Sequence, residues 1–496
     1  MSGRAFVGSC LLLLFISAAQ AQSPPWTSVF VVNTTADLID DQLGDGLCHT
    51  GANTCSLRAA FMQANHLTQT GSIRIDLPAG HYLMTRAPAG DEGEARGDLD
   101  LSAPLVANQG VMLRGAGAAV TIIDGNRLDR VLQIAQGRTV SLTGLTIRNG
   151  RALKAYGGGI QNGGVLSLSD CIVEHNDADY SGGGIESDVG TVHLLRSTLR
   201  VNTSDRGGGI AISDTAGDAV SALTVIDSVI EGNTALYEGG GIDARVGTVD
   251  VVGSSIRANS AGTRGGGMQV EGASLANIRT SSIHSNHADA GGGIFHTAGL
   301  MYVVNSTLSG NTADTDGGGI DVHYDPIFDD VVPNANLFHV SVIGNDADHD
   351  RDENGGAGGG LHVVDGAHLS VFSTLVAANT QRDAPIDDDC QGTVSSAFRS
   401  LFGATSGCAL SGSWAMVSPQ TIGPLQDNGG PSWTHALLPG SEAIDATVGV
   451  GGCIDPSAVT MVSDQRGATR PYGLSCDIGA FEFGALPPLA FGDGFE

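Results

Sequence analysis

The sequence predicts an all-β protein, a right-handed parallel β-helix with a short amino-terminal capping helix. Two recurring observations point there. A Gly-Gly-Gly step occurs eight times, each followed by one aliphatic residue: Ile160, Ile185, Ile210, Ile242, Met268, Ile294, Ile320 and Leu361. The intervals between these are 25, 25, 32, 26, 26, 26 and 41 residues. A period of this size marks stacked structural units rather than one compact domain. The second observation is an Asn row that precedes the next step: Asn176, Asn202, Asn233, Asn259, Asn286, Asn311 and Asn345, closed by Asn379.

Each Asn has an aliphatic residue three places before it, from Val173 to Val376, and in most units a Ser or Cys five places before it. The runs between glycine and Asn, such as Val192-His-Leu-Leu195 and Met301-Tyr-Val-Val304, are short, β-rich and bounded by turn residues. A unit of this length accommodates three short strands and three bends, which is one coil of a parallel β-helix. Coils stack at the strand spacing of about 4.8 Å. Equivalent residues therefore lie above one another. The aliphatic row becomes an interior ladder, and the Asn row can pass side-chain hydrogen bonds from coil to coil. Leucine-rich repeats and propeller blades need different frames and periods, and neither fits.

The paired glycine step and Asn resemble the GGA-plus-aliphatic and FxxN motifs of chlamydial polymorphic membrane proteins, here as GGGI with a bare Asn and no Phe. The resemblance spans Gly157 to Asn379 and implies a surface-displayed β-helix, an adhesin of the autotransporter-passenger kind. No barrel-like segment follows Glu482, which counts against that reading.

The address is exported. Residues 1–21 read as a signal peptide, with Arg4, an apolar run Leu11-Leu-Leu-Leu-Phe-Ile16 and the small-x-small site Ala19-Gln-Ala21. No later stretch is long and apolar enough for a transmembrane helix. The formal net charge is −29, Asp outnumbers Glu by 42 to 11, and Lys154 is the only lysine. This balance excludes nucleic acid and anionic lipid as partners. It leaves calcium as the one cofactor to consider, beside the bland reading that Asp serves turns. Seven cysteines follow the signal. Local proximity and export predict disulfides Cys48–Cys55, Cys390–Cys408 and Cys453–Cys476. Cys171 falls in the small-residue row and is expected buried and free.

Residues 22–75 form the amino-terminal cap. Val29-Phe-Val-Val32 reads as a strand. Leu57, Ala60, Phe61 and Ala64 share a helical face that Ser56 can cap. Cys55-Ser-Leu-Arg-Ala-Ala60 resembles the bacterial CSLREA amino-terminal domain, with Ala59 in place of the family's Glu. Asp37, Asp40, Asp41 and Asp45 read as an Asp/Gly turn or as calcium ligands. Residues 76–400 are the β-helix. Its first strands are expected around Ile73–Leu77, Val111–Leu113, Val120–Ile123, Val131–Ile134 and Val140–Leu142.

Residues 401–483 break the period. Asp427-Asn-Gly-Gly-Pro431, Asp464-Gln-Arg-Gly467 and Cys476-Asp-Ile-Gly479 resemble, in order, the carboxy-terminal segment of bacterial choice-of-anchor β-helix proteins. The segment is expected to cover the last coil through Trp433, Ile444, Ile478 and Phe481. Residues 484–496 are the tail, and its final Phe491-Gly-Asp-Gly-Phe-Glu496 resembles one found on exported proteins of some gamma-proteobacteria, which implies a Gram-negative source and a secreted or cell-surface location.

Two sets of candidate site residues emerge. The residue after each aliphatic anchor should point away from the core. This gives a polar row with one aromatic, including Glu186, Asp243, Gln269, Phe295, Asp321 and His362, suited either to a glycan or to plain solvation. The insertion at Asp346, Asp348, Asp350 and Asp352 places acids at alternate positions, an oxygen-rich set of the kind calcium takes. For function, binding, adhesion or a structural role without catalysis is expected, with an extracellular glycan or surface protein as partner and a monomeric chain. The alternative is a glycan-active lyase or hydrolase, since enzymes of the pectin-lyase type use this fold. Fold alone does not decide between them. Glu186 and Asp243 should lie two coils apart, roughly 10 Å, just beyond the inverting-hydrolase separation of about 6.5–9.5 Å.

Overall fold

The structure, a computed structural model, describes residues 26–69, 71–88, 94–102, 104, 109–213, 221–272, 275–324, 326, 331–350, 355–381, 386–447 and 452–488. The signal region 1–21, the final hexapeptide 491–496 and Asp352 lie outside them.

The fold is the right-handed parallel β-helix expected from the repeat. The register of the aliphatic row is unbroken. Ile160 pairs with Ile185, then Ile210, Ile242, Met268, Ile294, Ile320, Leu361 and finally Cys390, all in parallel. Every aliphatic member of this row is fully buried. The row that ends Val342–Val376 forms a second interior ladder. It includes Ile230, Ile256 and Ile283 in register.

A regular coil holds four strands rather than the expected three. One coil runs Val165–Ser169, Ile172–Glu174, Asp177–Ala178 and Ile185–Asp188. The fourth kind, only two residues long in most coils, builds its own sheet of ten strands from Arg151 to Asp387. Two bends per coil are left-handed without needing glycine, as at Asp170 (φ 55) and His175 (φ 56). The glycine step makes the other bend, and its residues are there for different reasons. Gly182 has φ +67, which favours glycine, whereas a Cβ on Gly183 would sit 2.4 Å from the Thr203 carbonyl of the next coil.

The Asn row forms a continuous buried ladder. The Oδ1 of Asn202 accepts from both the backbone N and the Nδ2 of Asn176, at 3.0 Å each, and the pattern repeats to Asn379. It ends on Asp389, whose carboxylate takes the place of the next Asn at 3.0 and 2.8 Å. The small row does the same at another bend. The hydroxyl of Ser228 accepts from the backbone of Ser197, Ser254 from Ser228, and Ser281 from Ser254. Cys171 heads this row, buried and free of any disulfide. Its thiol is pushed up to about 11 by burial. The three expected disulfides are present.

The amino end is closed by the helix Leu57–His66. Ser56 Oγ accepts from the Ala59 backbone at 3.0 Å, and Leu57, Ala60, Phe61 and Ala64 are buried against the first coils. The nearby acids are taken up by protein donors. Asp37 pairs with Arg58 at 2.6 Å, Asp41 with His49 at 2.5 Å, and Asp40 and Asp45 both accept from Gln63.

Beyond Met416 the carboxy-terminal segment does not cap the last coil. It folds back along the flank and lies against the outer faces of strands Ser282–His284, Thr307–Ser309, Ser341–Ile343 and Leu375–Ala377. Trp433 stacks on His284 at 5.4 Å, Gln465 accepts from Thr307 at 2.6 Å, and Arg470 bonds Asn305 at 3.0 Å. Ile478 and Phe481 pack with Ile343 and Leu375 in a second hydrophobic cluster, with Ile444 at its margin. The apolar part of these faces is Ile343, Leu375 and Ala377, while the rest meets the segment through polar contacts, and the buried pair Arg470–Glu482 (2.8 Å) lies within the segment. The last coil ends instead on the paired strands Cys390–Phe402 and Gly407–Met416, tied by the Cys390–Cys408 disulfide.

Candidate functional site

The polar row after the aliphatic anchors does point away from the interior ladder, but it is not a solvated face. Glu186, Asp243, Gln269, Phe295 and Asp321 are each at most 2% exposed. His362 is partly exposed. Beside the row stands the chain just before the glycine steps, as where Ser181 bonds Glu186 at 2.7 Å, Arg206 and Tyr237 line a cavity with Asp243, and Arg264 and Asp316 line one with Phe295. The row is therefore the floor of a groove running along the helix axis.

Two parts of this groove open into cavities. The first, about 360 Å³, has Ala211 and Asp243 on its floor and Tyr156, Tyr180 and Tyr237 around it. Ser181, Asp205, Arg206, Ser213 and Arg245 complete the lining. The three tyrosines are each 44% exposed, and the Tyr156 and Tyr180 rings stand 5.1 Å apart. The second cavity, about 330 Å³, lies further along the same row. It is lined by Phe295, Asp321, His323, Arg264, Asp289 and Asp316, among others. There the Arg264 guanidinium lies 5.0 Å from the centre of the Phe295 ring, and His323 stacks on the same ring at 5.3 Å between centroids.

The register joins Glu186 to Ala211 and Ala211 to Asp243, so the two carboxyls are two coils apart as expected. Burial dominates both. It pushes Glu186 up to about 7, although the hydroxyls of Ser181 and Ser213 each donate to it at 2.7 Å. It pushes Asp243 up to about 7 as well, against the pull of Arg245, whose Nε donates to Oδ2 at 3.0 Å. Arg245 is shared with Glu238, also at 3.0 Å, and Glu238 in turn meets Arg206 at 3.3 Å. Asp243 Oδ1 and Gln269 Oε1 are buried without a hydrogen-bond partner among the described residues. Further along, burial raises Asp321, which His362 Nδ1 meets at 3.0 Å. Burial alone would lower His362, but its bond to Asp321 wins and raises it.

The three described acids of the insertion have different surroundings. Asp346 belongs to the short strand Asp346–Ala347 and accepts from Thr380 Oγ1 at 2.7 Å, with His349 at 3.2 Å. Asp348 is fully buried at a left-handed bend (φ 54), and Asp350 is exposed. Among the described residues no group of three or more such side chains is arranged to hold a metal ion, and no helix is long and apolar enough to cross a membrane.

Residues around the two cavities also recur at fixed positions in the repeat. Tyr156, Arg206, Glu238, Arg264 and Asp316 all stand immediately before a glycine step, and Tyr180, Asp205, Tyr237 and Asp289 one place earlier. That periodic pair of positions was the available signal.

Strand pairing and groove together define a parallel β-helix protein with an axial groove floored by buried polar groups. The chain matches no protein-family profile and no curated protein. Among solved structures it is similar to the crystal structure of pectate lyase Pel9A, at 13% identity over 92% of this chain and 96% of that one, with a TM-score of 0.45. It is also similar to the A-module of the Azotobacter vinelandii mannuronan C-5 epimerase AlgE6, at 17% identity over 72% of this chain and 91% of that one, with a TM-score of 0.27. The fold assignment rests on the strand pairing itself.

Proposed function

We propose that this is an exported or cell-surface β-helix protein that binds an extended glycan along its axial groove without catalysing a reaction on it. The single observation that carries this reading is the ring of half-exposed tyrosines, Tyr156, Tyr180 and Tyr237, around a floor of buried polar groups. Aromatic faces supply contact area for sugar rings at low entropic cost, and fixed polar groups below orient the hydroxyls. The coil repeat suits a polymer, because equivalent wall positions recur at each strand spacing.

The absence of catalysis is argued from the same carboxyls. A general acid or base must reach the proton it moves. Glu186 is buried with both oxygens taken by Ser181 and Ser213, and Asp243, on the cavity floor, is held through Oδ2 by Arg245. Glu186 builds the floor, and Asp243 offers the cavity an acceptor with no second free carboxyl beside it among the described floor residues to complete an acid–base pair. Export is supported by the signal-like residues 1–21 and by three disulfides, which persist in oxidising compartments. The CSLREA-like and choice-of-anchor-like segments fit the same address.

A glycan array probed with the mature chain tests the proposal, followed by product analysis of each bound sugar. Binding that weakens at least about tenfold on Tyr180→Ala with Tyr237→Ala, each aromatic stack being worth of order 1 kcal/mol, and no chain shortening are expected. Unchanged binding in the double variant would remove the groove from the account. Release of shortened or unsaturated products would replace a binding role with an enzymatic one.

A further inference from the structure

The groove has more hydrogen-bond acceptors and negative charge than its own donors and cations can match. Asp243 Oδ1 and Gln269 Oε1, neighbours on the floor, are buried with no partner among the described residues. Such an acceptor costs free energy until a donor reaches it. The first cavity is lined by Asp205 and Asp243 with Arg206 and Arg245, and Glu238, outside that lining, engages both arginines. In the second, Asp289, Asp316 and Asp321 face Arg264 and His323. Arg264 is turned onto the Phe295 ring. Burial pushes both Glu186 and Asp243 up to about 7, for Asp243 against the pull of Arg245.

From this mismatch we infer that the groove selects a glycan carrying free ammonium groups, an unacetylated amino-sugar chain, over neutral sugars and over uronates. The inference rests on the glycan reading above. An ammonium brings three donors and no acceptor. It suits an acceptor-rich floor, pairs with carboxylates, and gains further from the tyrosine faces. A uronate brings acceptors and negative charge to a site that already has too many of both, in a chain of net charge −29. N-Acetylation of the same sugar keeps the ring that stacks and removes the charge, so it isolates the ammonium's part.

The test is calorimetric titration of the mature chain with equal-length oligomers of glucosamine, N-acetylglucosamine and galacturonate at physiological ionic strength. Glucosamine is expected to bind about tenfold tighter than its acetylated counterpart, the equivalent of one charge-assisted contact, and galacturonate most weakly. Asp205→Asn, in the first cavity, should narrow that gap. Asp170→Asn, on an exposed turn where Asp170 pairs with Arg196, should leave it intact. Equal affinity for the two amino sugars, or tightest binding of the uronate, overturns the inference while any loss on Tyr180→Ala keeps the glycan reading. Equal narrowing by Asp170→Asn means general attraction of a polycation and also overturns it. If none of the three oligomers binds, both the inference and the reading beneath it fail.

Discussion

Replacing Ile256 by Ala tests the interior ladder at its most regular point. Ile256 is fully buried in strand Ser255–Arg257, and its register partners are Ile230 on one side and Ile283 on the other. The change removes three carbons. At about 0.8 kcal/mol per buried methylene this amounts to about 2.4 kcal/mol of lost transfer energy. A rigid stack cannot collapse into the void, so the total should fall at about 2–5 kcal/mol. Coils are coupled only to their neighbours, so the loss should propagate along the stack and lower the whole transition. Arg257, the next residue, is the control. It points outward, and its guanidinium meets Glu231 at 2.6 Å with the side chain 34% exposed. Truncating it to Ala should cost about 0.2–1 kcal/mol. Denaturant unfolding of both variants compares the two losses. Equal losses, or a larger one at Arg257, would place the register off by one and reverse every inward and outward assignment.

Asn259→Ala should cost about 1–3 kcal/mol, because it strands the Asn233 amide and backbone N–H that its Oδ1 accepts from, at 2.9 and 3.0 Å; a denaturation midpoint equal to wild type would deny the ladder its role. Glu186 sets a pH trend. The unfolded chain ionises it near 4.5, while burial keeps it protonated to about 7 in the fold. Its contribution is therefore most favourable below about 4.5, falls as pH rises to about 7, and is level beyond. Glu186→Gln should flatten the loss of melting temperature between pH 5 and pH 8; an unchanged slope would mean that the carboxyl is ionised throughout. Cys171 should resist alkylation in the native chain and react in denaturant, since burial raises its thiol to about 11; rapid native labelling would show that the small-residue row is open.

Features forced by backbone geometry were legible in the sequence. A glycine at Gly183 is demanded by a carbonyl 2.4 Å from where its Cβ would be, and Asn202 by a bend where only a side chain can bridge the coils. Such demands repeat in every coil and leave a period. The two-residue strands such as Asp177–Ala178 were missed because two residues carry no alternation to read. The cover over Glu186 and Asp243 was missed because alternation gives direction, not depth. Whether an outward side chain meets water depends on neighbours such as Tyr180 and Tyr237, whose size follows no ladder. The place of the carboxy-terminal segment was hidden for another reason. Its contacts, such as Gln465 with Thr307, join residues 158 positions apart and repeat nowhere.

The central claim is that the floor from Glu186 to His362 and its tyrosine wall form the ligand groove. Photo-cross-linking of the mature chain to a bound oligosaccharide bearing a photoreactive group, read by peptide mass spectrometry, tests it most directly. Adducts are expected on peptides that carry Tyr156, Tyr180 and Tyr237, abolished by competing unlabelled sugar. Competable adducts confined to the flank covered by residues 417–488, or to the terminal strand Gly407–Met416, would contradict it.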